Sequence, residues 1–87
     1  MIHARKDYNR IVDLDNKIPE KEPVFLLRAQ DQVAADTVRI WAVLHRSRGG
    51  DSAIAEMAEN HAFLMEQWPI HKAADLGPTR RTGKGRR

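Results

Sequence analysis

Two stretches of helical periodicity meet at Gly49-Gly50-Asp51, and that break constrains most of what this chain can fold into. Upstream, Asp31 can cap a helix running to about residue 48. Val33, Thr37, Ile40, Trp41 and Leu44 follow the i, i+4, i+7, i+8, i+11 spacing of one helical face. Gln32, Asp36, Arg39 and Arg46 fall mainly on the other. The glycine pair ends the helix, because glycine accepts the left-handed backbone needed there. Arg46 and Arg48 complement its negative end. Downstream, Asp51 or Ser52 caps a second helix over 52–67, with Ile54, Met57, Ala58, His61, Leu64, Met65 and Trp68 on its apolar face. Pro69 ends it. The short Gly-Gly-Asp connection predicts an antiparallel helical hairpin. Trp41 and Leu44 are expected to pack in its seam against Ile54, Met57 and Leu64. His61 is expected in that seam too, hydrogen-bonded.

One such seam is a small core. Two helices of about 17 residues span only about 25 Å each. A chain of 87 residues is one domain at most, and it contains no cysteine to staple it. Self-association is the remaining common remedy, so the expected form is a homo-oligomer. Phe63 projects near Glu56, Glu59, Asn60 and Gln67, away from the apolar stripe. It reads either as a simply exposed ring or as a second packing surface.

Residues 1–22 are polar, with a modest apolar patch of Tyr8, Ile11, Val12, Leu14 and Ile18. Asp15-Asn16-Lys17 reads as a turn, and Pro19 to Pro23 brackets an acidic hinge. This is expected to be an extended arm lying on another surface, such as a neighbouring subunit; the alternative is a floppy terminus. Pro23-Val24-Phe25-Leu26-Leu27-Arg28-Ala29 fits a short strand or a helical turn. Proline at its first position, with Glu20 and Glu22 upstream, favours a helix start. The fold class is therefore all-α: a hairpin over about 31–48 and 52–67, an N-terminal arm and a basic tail.

The charge is unevenly placed. The chain carries a formal +3, yet five of its fifteen basic residues are Arg80, Arg81, Lys84, Arg86 and Arg87. No acid follows Asp75, so residues 1–76 hold ten basic and twelve acidic side chains, a formal −2. The chain divides into a helical domain over 1–76 and a basic tail over 77–87, expected to be disordered until bound. What the tail binds need not be what the fold binds. No apolar run approaches the roughly 18 residues of a membrane span, so no membrane partner is expected. With no apolar stretch behind Met1-Ile2-His3-Ala4-Arg5-Lys6-Asp7, no secretory signal is expected either, and the reading is cytoplasmic.

Catalytic and metal chemistry find no support. No two of His3, His45, His61 and His71 stand at i, i+3 or i, i+4. Ser47 and Ser52 lack a glycine elbow. Glu56 and Glu59 adjoin a solvated helix face. Gly49-Gly50 lacks the spacing and the following Lys-Ser/Thr of a phosphate loop. No catalytic residue, metal ligand or cofactor is assigned.

Two clusters carry more information. In Glu22-Pro-Val-Phe-Leu-Leu-Arg28-Ala-Gln30-Asp31, polar groups follow an apolar anchor and sit beside a helix N-terminus, which favours anions. Capping plus a salt bridge is the plainer reading of the same residues. In Met65-Glu66-Gln67-Trp68-Pro69-Ile70-His71-Lys72, an aromatic ring, a stop and a cation gather where the second helix ends. Here the plainer reading is a helix-end lock by Trp68. An antiparallel hairpin brings both clusters to its open end. Tyr8, Arg10, Arg28, Gln30, Asp31, Trp68 and Lys72 are thus the candidate ligand-binding residues, and an anionic nucleotide-type ligand suits them. Arginine grips phosphate and an aromatic ring stacks on a base.

The segments Glu-Pro-Val-Phe-Leu-Leu-Arg-Ala-Gln-Asp (22–31) and Met-Glu-x-Trp-Pro-x-x-Lys-x-x-Asp-Leu (65–76) resemble a group of short, uncharacterised proteins common in phage and prophage genomes. The resemblance covers roughly residues 8–76, and the basic tail from Arg80 departs from it. It implies no activity, only a phage-type context. In that context small non-catalytic proteins sequester a host signal, block a host protein or coat nucleic acid. Two rival readings follow. Nucleic-acid binding would be led by Arg80, Arg81, Lys84, Arg86 and Arg87. An inhibitor or adaptor of a host protein would use Phe63 and the N-terminal arm.

Overall fold

A computed structural model describes residues 1–75. The expected division at residue 77 and the tail cations Arg80, Arg81, Lys84, Arg86 and Arg87 lie outside the described residues. Two helices dominate, α1 over Ala34–Ser47 and α2 over Ser52–Gln67. The hairpin is present, with the turn chemistry read from the sequence. Gly49 has φ +82°, its N–H donates to Arg46 O, and the Gly50 N–H donates to His45 O at 2.8 Å. This is the paired hydrogen bonding of a Schellman cap. Asp51 caps α2 by accepting from the Ala53 N–H at 2.8 Å. Trp68, before Pro69, takes extended backbone with ψ 131° and stops it. At the other end, the Asp31 carboxylate accepts from the Val33 N–H at 3.0 Å, but regular helix begins only at Ala34.

The seam differs from the one expected. Its buried residues are Ala34 and Ala42 of α1 with Ala55, Ala62 and Met65 of α2. In α2, residues 55, 58, 62 and 65 step by 3, 4 and 3, the repeat of a helix facing a helix. Trp41, Leu44, Ile54, Met57 and Leu64 lie outside it, between 47% and 69% exposed. His61 is exposed as well. Large apolar residues outweigh alanine in a periodicity reading, yet small residues let two helices approach closely. The hairpin uses its alanines for contact and turns its bulk outward. Among the described residues no side chain larger than alanine is fully buried.

The fold is also not purely helical. Ile2–His3 (β1) pairs in parallel with Pro23–Val24 (β2), in the register Ile2↔Pro23 and His3↔Val24. Residues 23–29 therefore contain a short strand and no helix. Pro23 suits this place, since it lacks an N–H and the two-stranded sheet does not use one there; the Ile2 N–H donates to Glu22 O at 2.8 Å. The N-terminal arm folds back on its own chain. A turn at Asp13–Asn16, with Asn16 at φ 54°, reverses it. The Asp13 carboxylate accepts from the Ile18 N–H at 2.7 Å, and His3 Nε2 donates to Ile11 O at 2.9 Å.

Candidate functional site

Parallel strands carry their chains in the same direction. The residues after β1 (Arg5 to Tyr8) and those a little beyond β2 (Arg28 to Asp31) therefore leave the sheet at one end. A third segment joins them. The Lys72 N–H donates to Gln30 O at 2.8 Å, and the Gln32 N–H donates to Lys72 O at 2.8 Å. This bridge, Asp31 beside Lys72, ties the chain after α2 to the chain before α1. The three segments enclose a cleft of about 230 Å³ lined by Arg5, Asp7, Tyr8, Arg28, Gln30, Asp31, Lys72, Ala74 and Asp75.

Five of the seven residues proposed from the sequence thus share one cleft: Tyr8, Arg28, Gln30, Asp31 and Lys72. Arg10 and Trp68 do not line it. Arg10 lies beyond the short 3₁₀ turn of Lys6–Tyr8 and is exposed. Trp68 projects from the end of α2 and is half exposed. Arg5, Asp7 and Asp75 were missed, because no helical or strand period marks them.

The cleft contains three cations and three carboxylates, and their pairing decides its electrostatics. Arg5 grips Asp7 through two hydrogen bonds of 3.0 and 2.9 Å, and its guanidinium lies 5.2 Å from the Tyr8 ring centroid. That hydrogen bond, reinforced by the nearby charge of Asp7, raises the Arg5 pKa above its ordinary value, against some loss of hydration. Lys72 stands 3.6 Å from Asp75. The Asp31 carboxylate accepts from the Val33 N–H two residues on, in the turn ahead of α1. Arg28 is exposed, and no carboxylate among the described residues pairs with its guanidinium. The volume is below the roughly 300–1,000 Å³ of a drug-sized ligand pocket, so the cleft can grip one end of a ligand without enclosing it.

Among the described residues, no group of three or more His, Cys, Asp or Glu is placed to hold a metal. No described helix is long and apolar enough to cross a membrane. Comparison with protein-family models, curated proteins and solved structures returns no match.

Proposed function

We propose that this chain is a non-enzymatic binding protein that holds an anionic, nucleotide-type ligand in the cleft at the open end of its helical hairpin. The observation that carries the reading is Arg28. Its guanidinium lacks a carboxylate partner among the described residues, while the cations beside it, Arg5 and Lys72, each have one. A planar fork of donors left open in a concave site suits a phosphate. Gln30 adds a neutral donor and acceptor, and the half-buried Tyr8 ring offers a surface for a base. Asp7 and Asp75 hold the neighbouring cations in place and weaken the pull on anions that carry no matching hydrogen-bond geometry. The protein acts as a cytoplasmic homo-oligomer in this reading. The phage-type context implied by the sequence resemblance fits a sequestering role.

A thermal-shift panel of nucleoside mono-, di- and triphosphates and cyclic nucleotides tests it. At least one is expected to raise the melting temperature in a concentration-dependent manner, while the parent nucleosides do not. Stabilisation by none of them would contradict the reading.

A further inference from the structure

The hairpin has two unlike faces. Along one flank of the alanine seam, Arg39 of α1 binds Glu66 of α2 through hydrogen bonds of 3.1 and 2.9 Å, and Arg46 binds Glu59 in the same two-pronged manner. These pairs mark which flank of each helix lies on which side. At about 100° per residue, the opposite flank of α1 presents Trp41 and Leu44, and the opposite flank of α2 presents Ile54, Met57, Leu64 and Trp68. Both sets fall on the same side of the hairpin. They are 47%, 48%, 47%, 69%, 62% and 51% exposed. Phe63, 57% exposed, points to the ion-paired side instead.

We infer that this apolar face is the site where a second copy of the chain docks, closing a four-helix bundle. Two observations choose a copy over an unrelated partner. The first is the protomer's own need. With four alanines and Met65 as its buried apolar core, the described fold encloses one large apolar side chain, and none larger than alanine completely. The surface that could complete the core is therefore required whenever the chain is folded. The second is area. Half exposed, six such side chains present on the order of 700–800 Å², close to the roughly 800 Å² each partner contributes to a stable interface. Two tryptophans and a methionine stand in the patch, as in interface centres; exposed His61 lies among them on the same helical spacing, and Arg48 lies at the turn end beside Trp41 and Leu44. Pairing hairpins face to face gives the antiparallel bundle that short loops favour. The ion-paired flank stays in water.

Light scattering and tryptophan fluorescence of the full chain test this. The wild-type protein is expected to show twice the 10.0 kDa chain mass at tens of micromolar. Trp41 and Trp68 both lie in the patch, so their emission should shift to the red as dilution separates the copies. Met57→Glu and Leu64→Glu should each yield monomer, and Phe63→Glu should leave the dimer intact. A wild-type chain that stays monomeric overturns the inference. So does an assembly that survives both patch variants, or one that Phe63→Glu dissociates in their place.

Discussion

Lys72 and Gln30 are joined through their backbones, the Lys72 N–H donating to Gln30 O at 2.8 Å, although 42 positions separate them in the chain. Together with the Gln32 N–H on Lys72 O, this bond fixes one wall of the cleft against another. Lys72→Pro removes the donor. The expected loss is about 1 kcal/mol of stability, the typical net worth of one hydrogen bond. Ligand binding should fall far more, because the cleft opens and the Lys72 ammonium that lines it is lost as well. Far-UV circular dichroism should remain that of two helices.

The seam makes a sharper prediction. Ala62 is completely buried between the helices. Ala62→Leu adds three carbons where helices touch and should cost roughly 1–3 kcal/mol or more in chemical denaturation. A neutral outcome would show that the helices are not held together at this line.

The turn offers a second stability test. Gly49 sits at φ +82°, with nothing near the position its Cβ would take. Gly49→Ala should therefore cost about 1–2 kcal/mol from backbone strain alone. Gly50 is constrained differently: a Cβ there would fall 2.4 Å from His45 Nε2. The His45 ring is itself stacked on Trp41, with centroids 4.7 Å apart. Gly50→Ala should disturb this stack, read as a change in tryptophan emission.

How much of this was legible in the sequence divides along physical lines. The hairpin, the Asp51 cap, the glycine stop and the Trp68-Pro69 end were readable, because each depends on a local backbone rule. The seam was not. Periodicity locates the bulky stripe of a helix but does not say whether that stripe meets the nearest helix or another surface. Ala34, Ala42, Ala55 and Ala62 carried too little hydrophobic weight to announce themselves. The strand at Pro23–Val24 was equally hidden, because two residues have no period and their partner lies at the other end of the arm. Arg28 and Lys72 were placed together by antiparallel logic alone. Arg5 and Asp7 depended on the parallel pairing and so were missed.

The two ion pairs across the hairpin set its acid limb. The Arg46 hydrogen bond holds the Glu59 carboxyl below its ordinary range, and the Arg39 hydrogen bond does the same for Glu66. A carboxyl whose folded pKa is depressed contributes stability above its unfolded pKa and loses it as pH falls through the folded one. Stability from these pairs should therefore be complete at neutral pH and decline below the ordinary glutamate range of about 4.3. Both pairs are partly exposed, so the contribution is small. Glu59→Gln with Glu66→Gln should lower the melting temperature slightly at neutral and alkaline pH and converge on the wild-type value at the acid end, where the wild type has lost the same pairs. A profile unchanged from the wild type would show that the pairs contribute nothing.

Calorimetry on Arg28→Ala tests the central claim most directly, with the nucleotide that stabilises the wild-type protein best as the probe. Arg28 caps no helix and pairs with no carboxylate among the described residues, so its removal should leave fold and mass unchanged. Loss of a charge-assisted hydrogen bond to phosphate should weaken binding by about tenfold or more. An Arg28→Ala protein that binds the same nucleotide with wild-type affinity would contradict the assignment of this cleft.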